Sequence, residues 1–324
     1  MPLDRRRFLA SALAAPAVVP LLSALPRPAL ARAVPPAGPV AGLYRFKVGT
    51  FEVTSINDGM MNLALDQFPA ADRTGAEALL QRAFQAPAAI PTAVNAYLVN
   101  TGDRLVLIDT GTATAMGPSL GKVGANLKAA GIDPADVDLV VLTHMHPDHA
   151  NGLVDPAGAA VFGKAQLAVA EAEYGFWTDD GILSQAPAGV QPFFHMARAA
   201  VKPYAGPDRL TRFGKEAEIV PGIRVLAAPG HTPGHSMVEV TSGSDRLLIW
   251  GDIVHAASLQ FAKPDWAINF DVDQQVAIAS RKRVLDQVAA DRVLIAGAHL
   301  AFPGIGHVGR AGEGYEFVPA FWQS

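Results

Sequence analysis

The stretch Val137-Asp138-Leu139-Val140-Val141-Leu142-Thr143-His144-Met145-His146-Pro147-Asp148-His149 decides how this chain is read. From Val137 to Leu142 it is apolar but for Asp138, the mark of a buried strand. That strand delivers the chain into three imidazoles and one carboxylate, at His144, His146, Asp148 and His149. Packing does not explain such density. Imidazole and carboxylate suit zinc and similar divalent ions, and a catalytic site keeps one coordination position open for water or substrate. Pro147 lacks a backbone donor and restricts the residues before it, so the cluster is predicted to be a folded loop with converging side chains rather than a helix face.

Outward from this cluster the pattern is short apolar runs separated by Gly, Pro and Asn. Val94–Val99 and Leu105–Asp109 read as a strand pair around the turn Asn100-Thr101-Gly102-Asp103. Apolar residues at 120, 123, 127 and 130 predict a helix over Leu120–Ala130, ended by Gly131. Strands are predicted at Ile223–Ala227, Met237–Val240 and Leu247–Trp250, then a helix over Gln274–Ala289 and a strand at Val293–Ala296. The strongest of these strands end in or just before a His or Asp cluster. The whole reads as alternating α and β structure in one catalytic domain spanning residues 34–324.

Bulk properties exclude several classes. The formal charge is −4, and without residues 1–33 the chain carries 21 basic and 29 acidic residues, a charge of −8. Nucleic-acid partners need clustered cations, so none is expected. The absence of cysteine excludes disulfides, thiolate metal sites and a Cys nucleophile. Residues 1–33 read as a twin-arginine-type export signal. Arg5, Arg6 and Arg7 precede Phe8 and Leu9, an Ala-rich apolar stretch follows, and Ala29, Ala31 and Ala33 offer a peptidase site. Such signals send folded proteins to the bacterial periplasm, so a periplasmic or secreted location is expected. The Ala and Pro content argues against a retained membrane helix or stable membrane insertion.

His144-Met145-His146-Pro147-Asp148-His149 resembles the HxHxDH signature of the metallo-β-lactamase superfamily. Gly230-His231-Thr232-Pro233-Gly234-His235, Gly251-Asp252 and His299 follow in that family's order. The resemblance implies a four-layer αββα sandwich. It also implies two divalent metal ions, zinc foremost, with Mn, Co and Fe accepted by the same donors. His144, His146 and His231 would hold one ion, Asp148, His149 and His299 the other, and Asp252 would bridge them. Asp109, in Ile108-Asp109-Thr110-Gly111, resembles the first family motif and would orient a ligating imidazole; a turn-forming Asp ahead of Gly is the equal alternative. His235 is read as steadying its loop, because the family leaves no metal position for it.

Two cations about 3.5 to 4 Å apart share a water and lower its pKa toward about 7. A metal-bound hydroxide would then attack a carbonyl or phosphorus centre, with Asp148 or Asp252 orienting it and passing its proton onward. The reaction class is hydrolysis of a small molecule.

Thr143–Asn151, Gly117–Gly121 and Ala298–His307 resemble the methyl parathion hydrolases and quorum-signal lactonases. That branch implies an aryl ester, lactone or organophosphate triester as substrate, and a homodimer. Met116, Trp177, Phe193, His255 and Phe270 are the pocket candidates, with core burial the alternative for the aromatics. Met116 in place of an aromatic and the polar imidazole of His255 are departures from such walls. They favour an uncharged aryl ester or lactone over a triester. His255 is read as a donor to substrate or a proton relay, or else an inert wall residue. His195 and His307 receive only surface or packing roles, and the Gly-rich segment 303–309 is expected to shape the mouth of the site. Two other chemistries share the donor set, those of a periplasmic β-lactamase and of an iron-dependent oxidoreductase. A non-catalytic binding protein is disfavoured because all seven ligand positions are filled.

Overall fold

A computed structural model describes residues 40–322, so the export signal expected over residues 1–33, with its boundary, lies outside the described residues. Strands that are apolar on both faces must be covered on both, and this requirement organises the unit Ala41–Ser324. The first sheet holds, in sequence order, β1 (Leu43–Val48), β2 (Phe51–Leu63), β3 (Ile90–Asn100), β4 (Leu105–Ile108), β5 (Leu139–Val141), β6 (Gln166–Ala170) and β7 (Leu210–Phe213). The second holds β8 (Glu216–Val220), β9 (Ile223–Ala227), β10 (Ser236–Ser242), β11 (Asp245–Ile249), β12 (Leu294–Ala296), β13 (Ile305–Ala311) and β14 (Gly314–Pro319). Both sheets are mixed. β4 to β7 are parallel and β1 to β4 antiparallel, and in the second sheet only β11 and β12 pair in parallel.

The period of two along each strand sorts side chains into cores. Val106, Ile108, Leu139 and Val141 meet Val225, Val238, Leu247 and Ile249 between the sheets. Their neighbours Leu107, Val140 and Leu142 point the other way. They are covered by Val123 and Leu127 of α2 (Val123–Ala129), Trp177 of α4 (Glu171–Thr178), and Phe194, Ala197 and Val201 of α6 (Gln191–Val201). On the far side Leu248 and Trp250 pack under Val284, Leu285 and Val288 of α8 (Gln274–Asp291). Helix, sheet, sheet, helix is the αββα sandwich. Short helices α1 (Arg73–Arg82), α3 (Pro147–Ala150), α5 (Asp180–Gln185) and α7 (Ala257–Gln260) complete the fold. Among the described residues no helix is long and apolar enough to cross a membrane.

Three expectations change. The helix predicted from Leu120 begins at Val123, because Gly121 adopts φ +83° and its N–H, with that of Val123, is bound by the buried carboxylate of Asp58. The 143–149 cluster is a loop only as far as His146; Pro147 then starts the single turn of α3, which carries Asp148 and His149. Proline suits that first helical position, where its missing N–H and fixed φ cost nothing. Segment 303–309 does not form the mouth of the site. From Ile305 onward it is β13, paired with β12 and β14, and the cavity walls come from elsewhere.

Candidate metal centre

The centre lies where strand ends from both sheets meet. Asp109 follows β4, His144 follows β5, His231 and His235 lie in the loop from β9 to β10, Asp252 follows β11 and His299 follows β12. Each strand ends and leaves its next residues to loop geometry, so the donors converge from four connections, and Asp109 joins them from a fifth. Asp109 takes φ +60°, a conformation rare for a residue with a Cβ, which costs on the order of 1–3 kcal/mol and occurs at functional sites.

Hydrogen bonds on the outer ring nitrogens set which nitrogen faces inward. His149 Nδ1 donates to Asp109 Oδ2 at 2.8 Å, His231 Nδ1 to Asp271 Oδ1 at 2.9 Å, and His299 Nδ1 to the Ala93 carbonyl at 2.9 Å. His144 Nδ1 lies 3.1 Å from Thr143 Oγ1, which itself donates to Asp109 Oδ2 at 2.8 Å. A proton held at Nδ1 leaves the Nε2 lone pair free to bind a metal.

Those lone pairs converge. His146 Nδ1 lies 3.1 Å from His144 Nε2 and 2.9 Å from His231 Nε2. Asp252 Oδ2 lies 3.6 Å from His144 Nε2, 3.2 Å from His231 Nε2 and 3.1 Å from His299 Nε2, and Asp252 Oδ1 lies 3.2 Å from His149 Nε2. Asp148 Oδ2 is 3.4 Å from both His149 Nε2 and His299 Nε2. Four donors each about 2.0–2.1 Å from a tetrahedral ion stand roughly 3.3 Å apart, so the spacing fits two ions that share Asp252. His149 Nε2 and Asp252 Oδ1 are buried without a hydrogen-bond partner, as metal ligands would be.

Burial holds His144 and His146 well below the usual imidazole range, which keeps both neutral as ligands must be. Burial also acts on His231, but its bonds to Asp252 and Asp271 overcome it and raise the ring to about 9, so a metal binding at Nε2 would have to displace a proton there. His235 is pushed down to about 3 by burial. Its Nδ1 donates to the Ala228 carbonyl at 2.9 Å and its Nε2 accepts the Asp252 N–H at 3.0 Å. His235 therefore holds the backbone of Asp252, and Asp109 holds His149 and Thr143. His195 and His307 are exposed.

A cavity of about 560 Å³ opens onto this cluster. Met116, Trp177, Phe193, His255 and Phe270 all line it, with His146, Asp148, His231, Asp252 and His299 at its base. Trp177 is nearly fully buried, so it serves wall and core together.

Three supporting residues had no sequence signature. Glu173, buried on α4, accepts from Met145 N (2.8 Å), Gly234 N (3.0 Å), Thr232 Oγ1 (2.6 Å) and Trp177 Nε1 (2.7 Å). It ties the loop of His144 and His146 to the loop of His231. Asp271 orients His231, and the buried guanidinium of Arg281 binds Asp271 and the carbonyls of Ile253, Pro264 and Trp266. Acidic residues near a helix start, as both are, ordinarily read as caps or dipole partners.

Comparison with known proteins adds a family. A model described as the metallo-beta-lactamase superfamily matches residues 89–299. Among curated proteins, an N-acyl homoserine lactonase of a Bacillus species is 24% identical over 223 residues, 63% of this chain and 79% of that protein. Among solved structures, the hydrolase AbOPH of the beta lactamase superfamily is 33% identical with a TM-score of 0.84, over 89% of this chain and 100% of that one. AidC, a dizinc quorum-quenching lactonase, is 28% identical with a TM-score of 0.82, over 88% and 99%.

Proposed function

The chain belongs to the metallo-beta-lactamase superfamily, and from that premise we propose that it is a binuclear metal-dependent hydrolase of uncharged esters and lactones. The observation that carries this reading is the set of seven donors at metal-ligand spacing on the floor of an apolar cavity. Divalent cations bound there supply Lewis acidity and bring the pKa of water toward about 7.

The protein's own groups do the rest. Although burial works the other way, His149 and His299 hold Asp148 well below the ordinary carboxylate range. An ionised carboxylate facing the cavity is an acceptor for the proton that attacking water gives up. The apolar lining, Phe176, Trp177, Phe193, Phe194, Phe270 and Val272, suits an apolar substrate body. No Lys or Arg occurs among the described residues lining the cavity. A substrate carboxylate would find no Lys or Arg to pair with there, which disfavours a β-lactam.

Zinc is the metal proposed, from the imidazole-rich donor set. Export to the periplasm is proposed from residues 1–33, and a homodimer from the branch resemblance. Replacing Arg5 and Arg6 together by Lys is expected to leave the protein in the cytoplasm.

The test is elemental analysis of the purified protein combined with assays on dihydrocoumarin, a phenyl ester, methyl paraoxon and nitrocefin. The expected result is about two zinc ions per chain, with lactone or aryl ester turnover dominant and lost in Asp252→Ala. Full metal loading with nitrocefin the best substrate would replace this reading with a β-lactamase, and iron in a coloured protein would favour an oxidoreductase.

A further inference from the structure

Among the imidazoles that line the cavity, one is not used by the seven-donor arrangement. His255, three residues after Asp252, is 3% exposed, and neither of its ring nitrogens has a hydrogen-bond partner. Buried polar nitrogens are almost always satisfied, so an orphan pair marks a missing partner. The residue is firmly placed. Its backbone N–H donates to Gln260 Oε1 at 2.7 Å, and Gln260 in turn donates to the Trp266 carbonyl at 2.9 Å. The ring stacks on His299, with centroids 5.2 Å apart and planes 21° apart, and leans on His231 at 4.7 Å.

That packing aims Nε2 at the centre. It lies 3.1 Å from Asp252 Oδ2, the same oxygen that His231 Nε2 approaches to 3.2 Å and His299 Nε2 to 3.1 Å. Donor atoms of His231, Asp252 and His255 all lie within 4.8 Å of one another. The contact with Asp252 has the spacing of two ligands on one ion and lacks the alignment of a hydrogen bond.

We infer that His255 is an eighth donor of the metal centre, placing Nε2 on the ion that His231 and Asp252 share. The inference rests on the binuclear reading above. Its consequence is an unequal pair. One ion has donors from His144, His146, His231, Asp252 and His255, whereas the other has Asp148, His149, His299 and Asp252. The five-donor ion is the more firmly retained, and the position open to water and substrate belongs mainly to the other.

The full chain, stripped and reloaded with Co(II) alone, tests this in wild type, His255→Phe and His255→Gln. Cobalt per chain is followed against a graded chelator, alongside the visible absorption of the bound ion. Removal of His255 is expected to weaken retention of one of two ions on the order of 10- to 100-fold. The cobalt band should also intensify as a five-donor ion becomes four-coordinate. Circular dichroism of the metal-free proteins verifies folding. Should Phe disrupt the wall, the Gln variant carries the test, since an amide oxygen is a much weaker donor to Co(II) than imidazole. Two ions held equally well by all three proteins with one unchanged spectrum would overturn the inference alone. Fewer than two ions in the wild type would overturn the binuclear reading itself.

Discussion

Asp271 Oδ1 stands 2.9 Å from His231 Nδ1, while its second oxygen accepts the Ile268 N–H at 3.1 Å and meets Arg281 Nη2 at 3.4 Å. This buried carboxylate fixes the tautomer of His231 and ties it to α8 through Arg281. The bonds from His231 help to hold Asp271 ionised, at about 2, against the upward push of burial.

Asp271→Asn is accordingly expected to lower metal affinity 10- to 100-fold, the usual effect of losing a partner behind a ligating imidazole. Chelator competition on the zinc-loaded protein measures it. An unchanged affinity would show that His231 is oriented by packing alone.

Glu173 is a joint between two ligand loops rather than a ligand. Glu173→Ala leaves four inward-facing donors without an acceptor and should destabilise the metal-loaded protein by about 3–5 kcal/mol. Glu173→Gln should cost less, because one oxygen still accepts. Denaturant unfolding measures both, and a loss under about 1 kcal/mol in the Ala variant would refute the joint.

Metal removal should lower both activity and thermal stability, since a centre with donors from four connections adds its binding energy to folding. Readdition of zinc should restore both. Protons compete with metal for the imidazole lone pairs, so stripping by a fixed chelator should quicken as pH falls. Thermal unfolding with and without metal checks the first claim, and stripping rates across pH the second.

Phe193 lines the cavity beside His146, its ring centroid 6.3 Å away. Phe193→Ala should raise KM for an aryl ester about tenfold while metal content stays constant and kcat changes little, because the ring contributes binding shared by ground and transition states. A drop in kcat with KM unchanged would instead place the ring against the reacting atoms.

Much of the fold was legible because its signals are local. Val106–Ile108 and Leu139–Val141 announce buried strands by composition, and β9 runs over Ile223–Ala227 as predicted. Where prediction slipped, a distant partner intervened. Asp58, more than fifty residues from Gly121 and Val123, binds both N–H groups and delays the start of α2. Segment 303–309 was assigned by its nearness to His299, yet backbone pairing with β12 and β14 claims most of it.

By itself the sequence determined the donor types, their order and the strand ends that carry them, because imidazoles and carboxylates crowded after apolar runs have few other physical explanations. Only the tertiary structure decided which groups stand behind those donors. Glu173 reaches Thr232 across 59 residues, Asp271 reaches His231 across 40, and the buried ring nitrogens of His255 lack a hydrogen-bond partner. A buried polar group is defined by what surrounds it, and those surroundings come from parts of the chain that meet only when the two sheets close.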